Sequence, residues 1–87
     1  MIEVVWLEDA VADLKVIGVT IAEDDPATGS LQHHPEMGRP GRVEETRERV
    51  VSGLPYILPY YIKKKEVRIL AVMHTARKWP GNFPNKP

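Results

Sequence analysis

The side chains best suited to chemistry in this sequence are cations in its second half. Arg47 and Arg49 stand two residues apart, so in an extended strand both project from one face. Together they form a candidate patch that can receive phosphates or the carboxylates of a protein partner. The alternative interpretation is a solvated strand edge whose charges prevent aggregation. The wider basic set consists of Arg42, the lysine run at 63–65, Arg68, Arg77 and Lys78.

His74 is the one histidine placed where catalysis could use it, at the end of an apolar run and five residues before Trp79. An imidazole can act as a general acid or base near neutral pH. No serine, cysteine or aspartate stands at a spacing that predicts a catalytic triad with it. A histidine that ends a strand more often caps it or packs, here against Trp79, and we favour that structural role.

The sequence offers no ligand set for a metal ion. His33 and His34 are adjacent, and neighbouring side chains in a loop diverge. No pair of histidines has the helical i, i+4 spacing of a metal site. The glycines at Gly38 and Gly41 open no helix and lack a phosphate-loop lysine, so they predict a turn. We therefore expect neither a metal nor a cofactor.

Charge is distributed unevenly along the 87 residues, although the formal net charge is zero. Residues 1–38 carry eight acids and one base, a net charge of −7, whereas residues 39–87 carry eleven bases and four acids, a net charge of +7. Such asymmetry indicates a charged partner, either nucleic acid or an acidic protein. With no cysteine, no secretory start and no apolar run of about 18–20 residues, we expect a cytoplasmic protein without membrane contact.

These side chains need a scaffold, and at this length a single domain over 1–87 must supply it. β-Branched and aromatic residues with a single charge predict a first strand at 1–7. Helical spacing of Ala10, Leu14 and Ile17 then predicts a helix at 8–23, which Pro26 should end. Asp25-Pro26 is typical of a helix start, yet Thr28-Gly29-Ser30 follows, so we predict a loop over 24–41.

The second half contains the sheet. Strands are predicted at 43–51, 56–62 and 66–74, joined by short turns, and the proline-rich residues 80–87 should form an extended tail. Pro59 has no N–H to donate, so its strand needs an edge or a bulge there. The order predicts an α+β fold, in which the N-terminal strand and helix pack on an antiparallel sheet of three to four strands.

Several segments taken together resemble the RelE/ParE superfamily of toxins from type II toxin–antitoxin systems. They cover 1–28 and 33–80, nearly the whole chain. The segments are Asp24-Asp25-Pro26, the run at 34–43 that includes Met37-Gly38-Arg39-Pro40-Gly41, Thr46-Arg47-Glu48, the run at 55–60, Val67-Arg68-Ile69-Leu70, and His74-Thr75-Ala76-Arg77-Lys78-Trp79-Pro80.

The resemblance implies one of two activities. RelE-like members are ribosome-dependent ribonucleases that cut messenger RNA with lysines, arginines and a late tyrosine, but this chain has no tyrosine after Tyr61. ParE-like members inhibit DNA gyrase by binding, and the segment at 37–41 and the His-x-x-Arg-x-Trp-Pro ending look more like that branch. A cognate antitoxin would lay an amphipathic segment along the helix and sheet, with its acids on the positive half.

The chain also departs from the family pattern. The second helix that usually follows Asp-Asp-Pro is missing from the prediction, which should expose apolar surface and so favour a homodimer or a toxin–antitoxin hetero-oligomer. Relatives often have arginine where this chain has Tyr61 and Ala71. Both differences remove cations from the sheet.

Three hypotheses follow for the function. The first is a ParE-like toxin that acts by protein binding, with a functional surface at Arg47, Arg49, His74, Arg77 and Trp79. The second is an enzyme, a RelE-like messenger-RNA endonuclease that would use Arg47, Arg77 and His74. The third is a non-toxic remnant that binds only the antitoxin.

Overall fold

The computed structural model describes residues 2–18, 26–51, 53–76 and 79. Its elements, in chain order, are β1 (Glu3–Trp6), α1 (Glu8–Ile17), α2 (Pro26–His33), β2 (Arg39–Pro40), β3 (Arg47–Val50), β4 (Tyr56–Lys63), β5 (Glu66–Ile69) and β6 (Met73–His74). The strands form one six-stranded sheet in the order β1-β5-β4-β3-β2, and β6 pairs with β4. No helix in these ranges is long and apolar enough to cross a membrane.

The predicted α+β class is confirmed, with an N-terminal strand and helix on the sheet. The sheet itself is mixed, because β1 runs parallel to β5 while the other pairs are antiparallel. The three predicted strands do pair antiparallel, but the predicted sheet of three to four strands is incomplete, because β1 joins it in parallel and the short β2 and β6 extend it. A parallel pair needs a long crossover, here through both helices and three strands, and short-range patterns do not show it. β2 and β6 have two residues each, too few for a periodic signal.

α1 ends at Ile17, whereas the predicted helix continued to 23. Gly18 adopts a left-handed conformation with φ of 70°, and its N–H donates to the carbonyl oxygen of Leu14 at 3.0 Å. This is the usual glycine cap of a helix, since glycine alone adopts positive φ without strain. The rest of the predicted range, 19–23, lies outside the described residues.

α2 corrects the prediction of a loop over 24–41 and of a missing second helix. It is eight residues long and begins at Pro26, which suits the first position of a helix. The low helix propensity at 28–30 is offset by packing, because Leu31 is fully buried in the core and the carbonyl oxygen of Gln32 accepts from the N–H of Ile2 at 3.0 Å.

The sheet has two covered faces. We call the first the helix face: Leu58 and Tyr60 project from it into a cluster with Ala10 of α1 and Leu31 of α2. The second face carries a smaller buried cluster, which consists of Val43, Tyr61, Leu70, Ala71 and Met73, with Leu7 and Trp79 packed against it. Alternation along β4 therefore divides its side chains between two separate cores.

The predicted strand at 66–74 is interrupted, and the interruption accommodates Pro59. The carbonyl oxygen of Pro59 accepts from the N–H of Leu70 at 2.9 Å. Because the nitrogen and the carbonyl group of one strand residue point to the same side, the Pro59 nitrogen, which has no hydrogen, also faces the gap between β5 and β6. The N–H of Val72, which leaves the ladder there, donates to Asp13 Oδ2 of α1 at 3.0 Å. The proline thus sits at a break in the ladder, as its chemistry requires.

The bounds of the other three predicted strands also change. The strand predicted at 43–51 is Arg47–Val50, because Val43 and Thr46 belong to a turn. In that turn Thr46 Oγ1 donates to the carbonyl oxygen of Val43 at 2.6 Å, and Glu45 has φ of 65°. The strands predicted at 1–7 and 56–62 are Glu3–Trp6 and Tyr56–Lys63. The tail predicted at 80–87 lies outside the described residues.

The turn between β4 and β5 predicts a stabilising substitution. Lys64 and Lys65 have φ of 53° and 61°, a left-handed conformation that costs a side-chain-bearing residue roughly 1–2 kcal/mol. We expect Lys65→Gly to raise the free energy of unfolding by about 1 kcal/mol in urea denaturation. Lys63→Gly, in the strand beside it, should instead lower it by roughly 0.5–1 kcal/mol. A Lys65→Gly variant no more stable than the unmodified chain would contradict this turn geometry.

Candidate functional site

The segment from Pro35 to Arg42, called here the 35–42 segment, is fastened to the sheet by Tyr60. The side chain of Tyr60 is fully buried. Its hydroxyl donates to the carbonyl oxygen of Pro35 at 2.7 Å and accepts from the N–H of Gly38 at 3.0 Å. One side chain of β4 therefore fixes the start and the middle of the 35–42 segment, which follows α2 and includes β2.

Gly38 allows this close approach because it has no β-carbon. A β-carbon there would lie 2.8 Å from Tyr60 Cε1 and 2.9 Å from the carbonyl oxygen of Glu48, and it would also meet the Tyr60 hydroxyl. Any other residue would push the segment away from the sheet. The turn predicted at Gly38 and Gly41 is wrong, because Arg39–Pro40 between them form β2, and Gly38 is needed instead for packing against the sheet.

Arg47 braces the same segment from β3. It is the register partner of Tyr60, so it lies on the helix face. Its Nη1 donates to the carbonyl oxygens of Glu36 at 3.0 Å and Gly38 at 2.9 Å. The guanidinium that the sequence marked as a candidate for phosphate or carboxylate binding is therefore engaged with backbone of its own chain.

Glu48, the next residue of β3, points to the second face and is the most deeply buried carboxylate of the described residues, with 1% of its side chain exposed. Oε1 accepts from Arg39 Nε at 3.0 Å and lies 3.0 Å from Arg39 Nη2. Oε2 accepts from the backbone N–H of Arg42 at 2.8 Å and lies 4.0 Å from Arg42 Nε. A carboxylate removed from water costs several kcal/mol unless donors replace the water, and the three contacts at 3.0 Å or less do so.

Arg42 extends this network to the carboxyl-terminal part of the chain. Its Cζ lies 4.4 Å from the centroid of the Trp79 ring, which is cation–π geometry. Trp79 in turn packs on the second-face cluster. We call Arg39, Arg42 and Trp79 the arginine–tryptophan platform; the two arginine side chains remain 53% and 49% exposed.

The residues predicted as one functional surface are divided between the two faces. Arg47, Arg49 and His74 lie on the helix face, because their register partners on β4 are Tyr60, Leu58 and Tyr56. Trp79 packs on the second face. Arg77, with Lys78, lies outside the described residues. The structure therefore does not bring Trp79 together with the three helix-face residues.

His74 makes the packing contact expected of a structural histidine, but its partner is Tyr56 and not Trp79. The two rings meet edge to face with centroids 5.4 Å apart. The Nδ1 atom of His74 accepts from the N–H of Ala76 at 3.0 Å. This imidazole holds the turn that follows β6.

The pKa of the Tyr60 hydroxyl is shifted by its burial and by its neighbours. Burial raises the pKa of Tyr60 above its ordinary value of 10.0, while the N–H of Gly38 and the charges of Arg47 and Arg49 oppose that rise. The hydroxyl therefore stays protonated at neutral pH and can donate to Pro35. Arg49 itself has a buried Nε without a hydrogen-bond partner among the described residues.

Tyr61 and Ala71, the two positions where the sequence lacks the cations of its relatives, are both buried in the second-face cluster. An arginine at either would enter an apolar environment. A cation is supplied nearby by Arg68, whose Cζ lies 5.9 Å from the centroid of the Tyr61 ring. Glu66 Oε1 neutralises it, at 3.0 Å from Nε and 2.9 Å from Nη2.

An open pocket of about 470 Å³ lies beside the start of the 35–42 segment, lined by His33, His34, Pro35, Glu36 and Met37. Within the described residues, no three histidine, aspartate or glutamate side chains gather to hold a metal ion. The lining is mixed in character and contains no preformed ligand set.

Sequence reasoning missed Glu48 and Arg39 as site residues. The signal was present: a carboxylate stands at the centre of a short strand, with Arg39 and Arg42 a few residues upstream. A charged residue among buried neighbours needs partners, so its burial would have directed attention to these arginines. Alternation alone gave the face of Glu48 but not whether that face was covered.

With this geometry established, the chain can be compared with known proteins. Residues 4–79 match the family described as "ParE toxin of type II toxin-antitoxin system, parDE". The chain is 40% identical to a candidate toxin, Y4kP, of Sinorhizobium fredii, over 86% of this chain and 90% of the relative. It is 33% identical to toxin RelE2 of Caulobacter vibrioides, over 88% and 99%.

A solved structure agrees with these sequence matches. It is described as the chromosomal ParDE TA system from P. aeruginosa, and its chain matches with a TM-score of 0.62 and 25% identity, over 85% of this chain and 96% of that one. Fold and sequence thus define a small α+β toxin of the RelE/ParE superfamily, which confirms the resemblance. The chain belongs to the ParE toxin family of type II toxin–antitoxin systems.

The hydroxyl of Tyr60 supplies a first prediction for this site. Tyr60→Phe leaves the carbonyl oxygen of Pro35 and the N–H of Gly38 without their partner, so the free energy of unfolding should fall by about 1–3 kcal/mol. Urea denaturation measures the loss. Tyr56→Phe is the matched control, since phenylalanine keeps the ring contact with His74. Equal losses in the two variants would show that the hydroxyl of Tyr60 does not hold the segment.

The same residue predicts how stability changes with pH. Because burial raises the pKa of Tyr60 in the folded state, the unfolded chain releases this proton first, near pH 10.0. Stability from this residue is fully present below that pH and is lost as the pH rises through the folded-state pKa. The free energy of unfolding should therefore fall more steeply above pH 10 in the unmodified chain than in Tyr60→Phe. Parallel curves for the two proteins would refute the burial effect.

Proposed function

We propose that this ParE-family toxin acts by binding a protein target, DNA gyrase, and that a cognate antitoxin neutralises it. The observation that carries the binding mode is that Arg47 and His74, two of the three residues that the nuclease hypothesis would use, are hydrogen-bonded to the backbone of their own chain. Support for an antitoxin partner comes from the P. aeruginosa neighbour, which is described as a ParDE toxin–antitoxin system. Gyrase as target is the activity that the ParE branch implies.

The separation of Arg47 and His74 supports binding over cleavage. Their register partners, Tyr60 and Tyr56, lie four residues apart on β4, about 13 Å along a strand at roughly 3.3 Å per residue. They also flank β4 on opposite sides. A general acid or base must come within about 3 Å of the proton that it moves, so these two cannot readily serve one phosphodiester.

The contacts of these residues point the same way. Nη1 of Arg47 donates to two backbone carbonyl oxygens, and Nδ1 of His74 accepts from a backbone N–H. In the proposed toxin, Arg47 and His74 hold the scaffold, while Trp79 and Arg77 belong to the partner-binding surface.

A RelE-like, ribosome-dependent endonuclease acting on messenger RNA is the second candidate, favoured by the 33% identity to a relative named toxin RelE2. The third candidate is a remnant that binds only the antitoxin. The main reason for it was a missing second helix, and α2 is present. The remaining reason is that Tyr61 and Ala71 stand where relatives often have arginine. Both residues are buried, where an arginine would be energetically costly.

The structure removes part of the support for the predicted homodimer or hetero-oligomer. That prediction assumed apolar surface exposed by a missing helix, and α2 covers part of that surface with Leu31. We retain the toxin–antitoxin hetero-oligomer in the proposal, and a homodimer as an alternative assembly. Gyrase and ribosomes are cytoplasmic, so either mode of action places the protein in the cytoplasm.

Expression without antitoxin tests the proposal. In cells, we expect growth arrest with translated messenger RNA left intact, because binding to gyrase requires no cleavage chemistry. The purified toxin should also inhibit DNA supercoiling by purified gyrase. Arg77→Ala should weaken inhibition if Arg77 contacts the target, whereas Lys64→Gln, in the distant hairpin turn, should not.

Other outcomes would replace the proposal. Translation-dependent messenger cleavage with normal supercoiling would establish the endonuclease, and normal growth with retained antitoxin binding would establish the remnant. An Arg77→Ala variant with full inhibition would remove that residue from the binding surface.

A further inference from the structure

We propose that the arginine–tryptophan platform is a docking site for carboxylate side chains of an acidic protein segment. The buried carboxylate of Glu48 fixes the side chain of Arg39 and the backbone of Arg42, and the Arg42 guanidinium lies over the Trp79 ring. The inference rests on the proposed function in that the partner is a protein, and it names the residues and the chemistry of the contact.

The platform is preorganised. Long arginine side chains ordinarily lose much rotamer freedom when they bind, but Glu48 and the Trp79 ring already restrict these two. Glu48 cannot easily move, since it stands on β3, is 1% exposed and also accepts from the backbone of Arg42. Docking of a carboxylate therefore costs less ordering here than at a flexible surface arginine.

The two guanidinium groups retain donors for a second acceptor. A guanidinium has five N–H donors in a planar fork, which matches a carboxylate. Glu48 Oε1 engages Nε and Nη2 of Arg39, and the nearest Arg42 side-chain approach to Glu48 is 4.0 Å. With side chains 53% and 49% exposed, both arginines present the rest of the fork to solvent.

The charges around the platform favour a protein over a nucleic acid. Two arginines share one carboxylate, so the platform keeps a net positive charge and can accept another carboxylate. Glu44 and Glu45, both exposed, follow Arg42 after the buried Val43, and Glu66 lies on the same face of the sheet. A phosphate backbone would meet these acids repeatedly, whereas a protein segment can place single carboxylates between them.

The platform is a different surface from the Arg47–Arg49 patch predicted by alternation. Arg47 and Arg49 lie on the helix face, and Arg47 is committed to the backbone of the 35–42 segment. The competing explanation is that Glu48 and its arginines only staple β2 to β3. That role predicts a change in stability and no response of the arginines to an acidic ligand.

The test uses the purified full chain and nuclear magnetic resonance of the arginine Nε–H and tryptophan indole signals. The probes are a short peptide of leucine, alanine and two glutamates, the same peptide with glutamines, and an oligodeoxythymidylate. We expect the glutamate peptide to shift the signals of Arg39, Arg42 and Trp79. The signals of Arg47 and Arg49 should stay unmoved, and the glutamine peptide should have no effect.

Two double variants separate fork geometry from charge. Arg39→Lys with Arg42→Lys keeps both charges but removes the fork, and it should weaken binding of the glutamate peptide about tenfold. Lys64→Gln with Lys65→Gln removes two charges from the hairpin turn and should leave binding unchanged. Thermal unfolding confirms that each variant is folded before titration.

The proposal is overturned by any of three results on the unmodified chain. They are no shift at the platform, equal shifts with the glutamine peptide, and tighter binding of the oligonucleotide at the same signals. The assay contains neither gyrase nor growing cells. Its failure would leave the gyrase proposal standing, and a failed gyrase assay would leave the platform testable.

Discussion

A carboxylate that is 1% exposed must be surrounded by donors, and this requirement at Glu48 organises one side of the protein. The donors come from Arg39 and Arg42, which draws the chain after α2 against β3. The same contact stabilises the pairing of β2 with β3, since the two register pairs are Arg39 with Glu48 and Pro40 with Arg47. Arg42 then carries the constraint to Trp79, far along the sequence.

The alternation of β3 gives neighbouring residues separate tasks. Arg47 and Arg49 face the helices, where Arg47 joins Tyr60 in holding the backbone of the 35–42 segment. Glu48, between them, faces the opposite side and positions the exposed arginines. A single four-residue strand thus secures the same segment from both faces, and the surface offered to a partner depends on a side chain that no partner can reach.

The sequence predicts the fold class and the superfamily because those depend on patterns within short segments and on their order. It fails where packing outweighs local preference. Gly18 falls inside the helix predicted at 8–23, where a glycine is unfavourable, but in the structure it caps the end of α1. The weak helix formers at 28–30 become helical because Leu31, in the same helix, is buried in the core. Alternation correctly groups Arg47 with Arg49, yet it cannot show that their face lies beneath helices or that Glu48 is covered. Those facts depend on contacts between residues distant in the chain.

Hydrogen exchange at the backbone N–H of Arg42 tests most directly whether Glu48 anchors this region. Arg42 lies in an exposed bend, so its amide has a slow exchange rate only if the buried carboxylate holds it at the observed 2.8 Å. We expect protection in the unmodified chain and its loss in Glu48→Ala, which removes the acceptor, with the amide of Val67 in β5 protected in both. An Arg42 amide that exchanges as fast as an unstructured peptide in the unmodified chain would contradict the account.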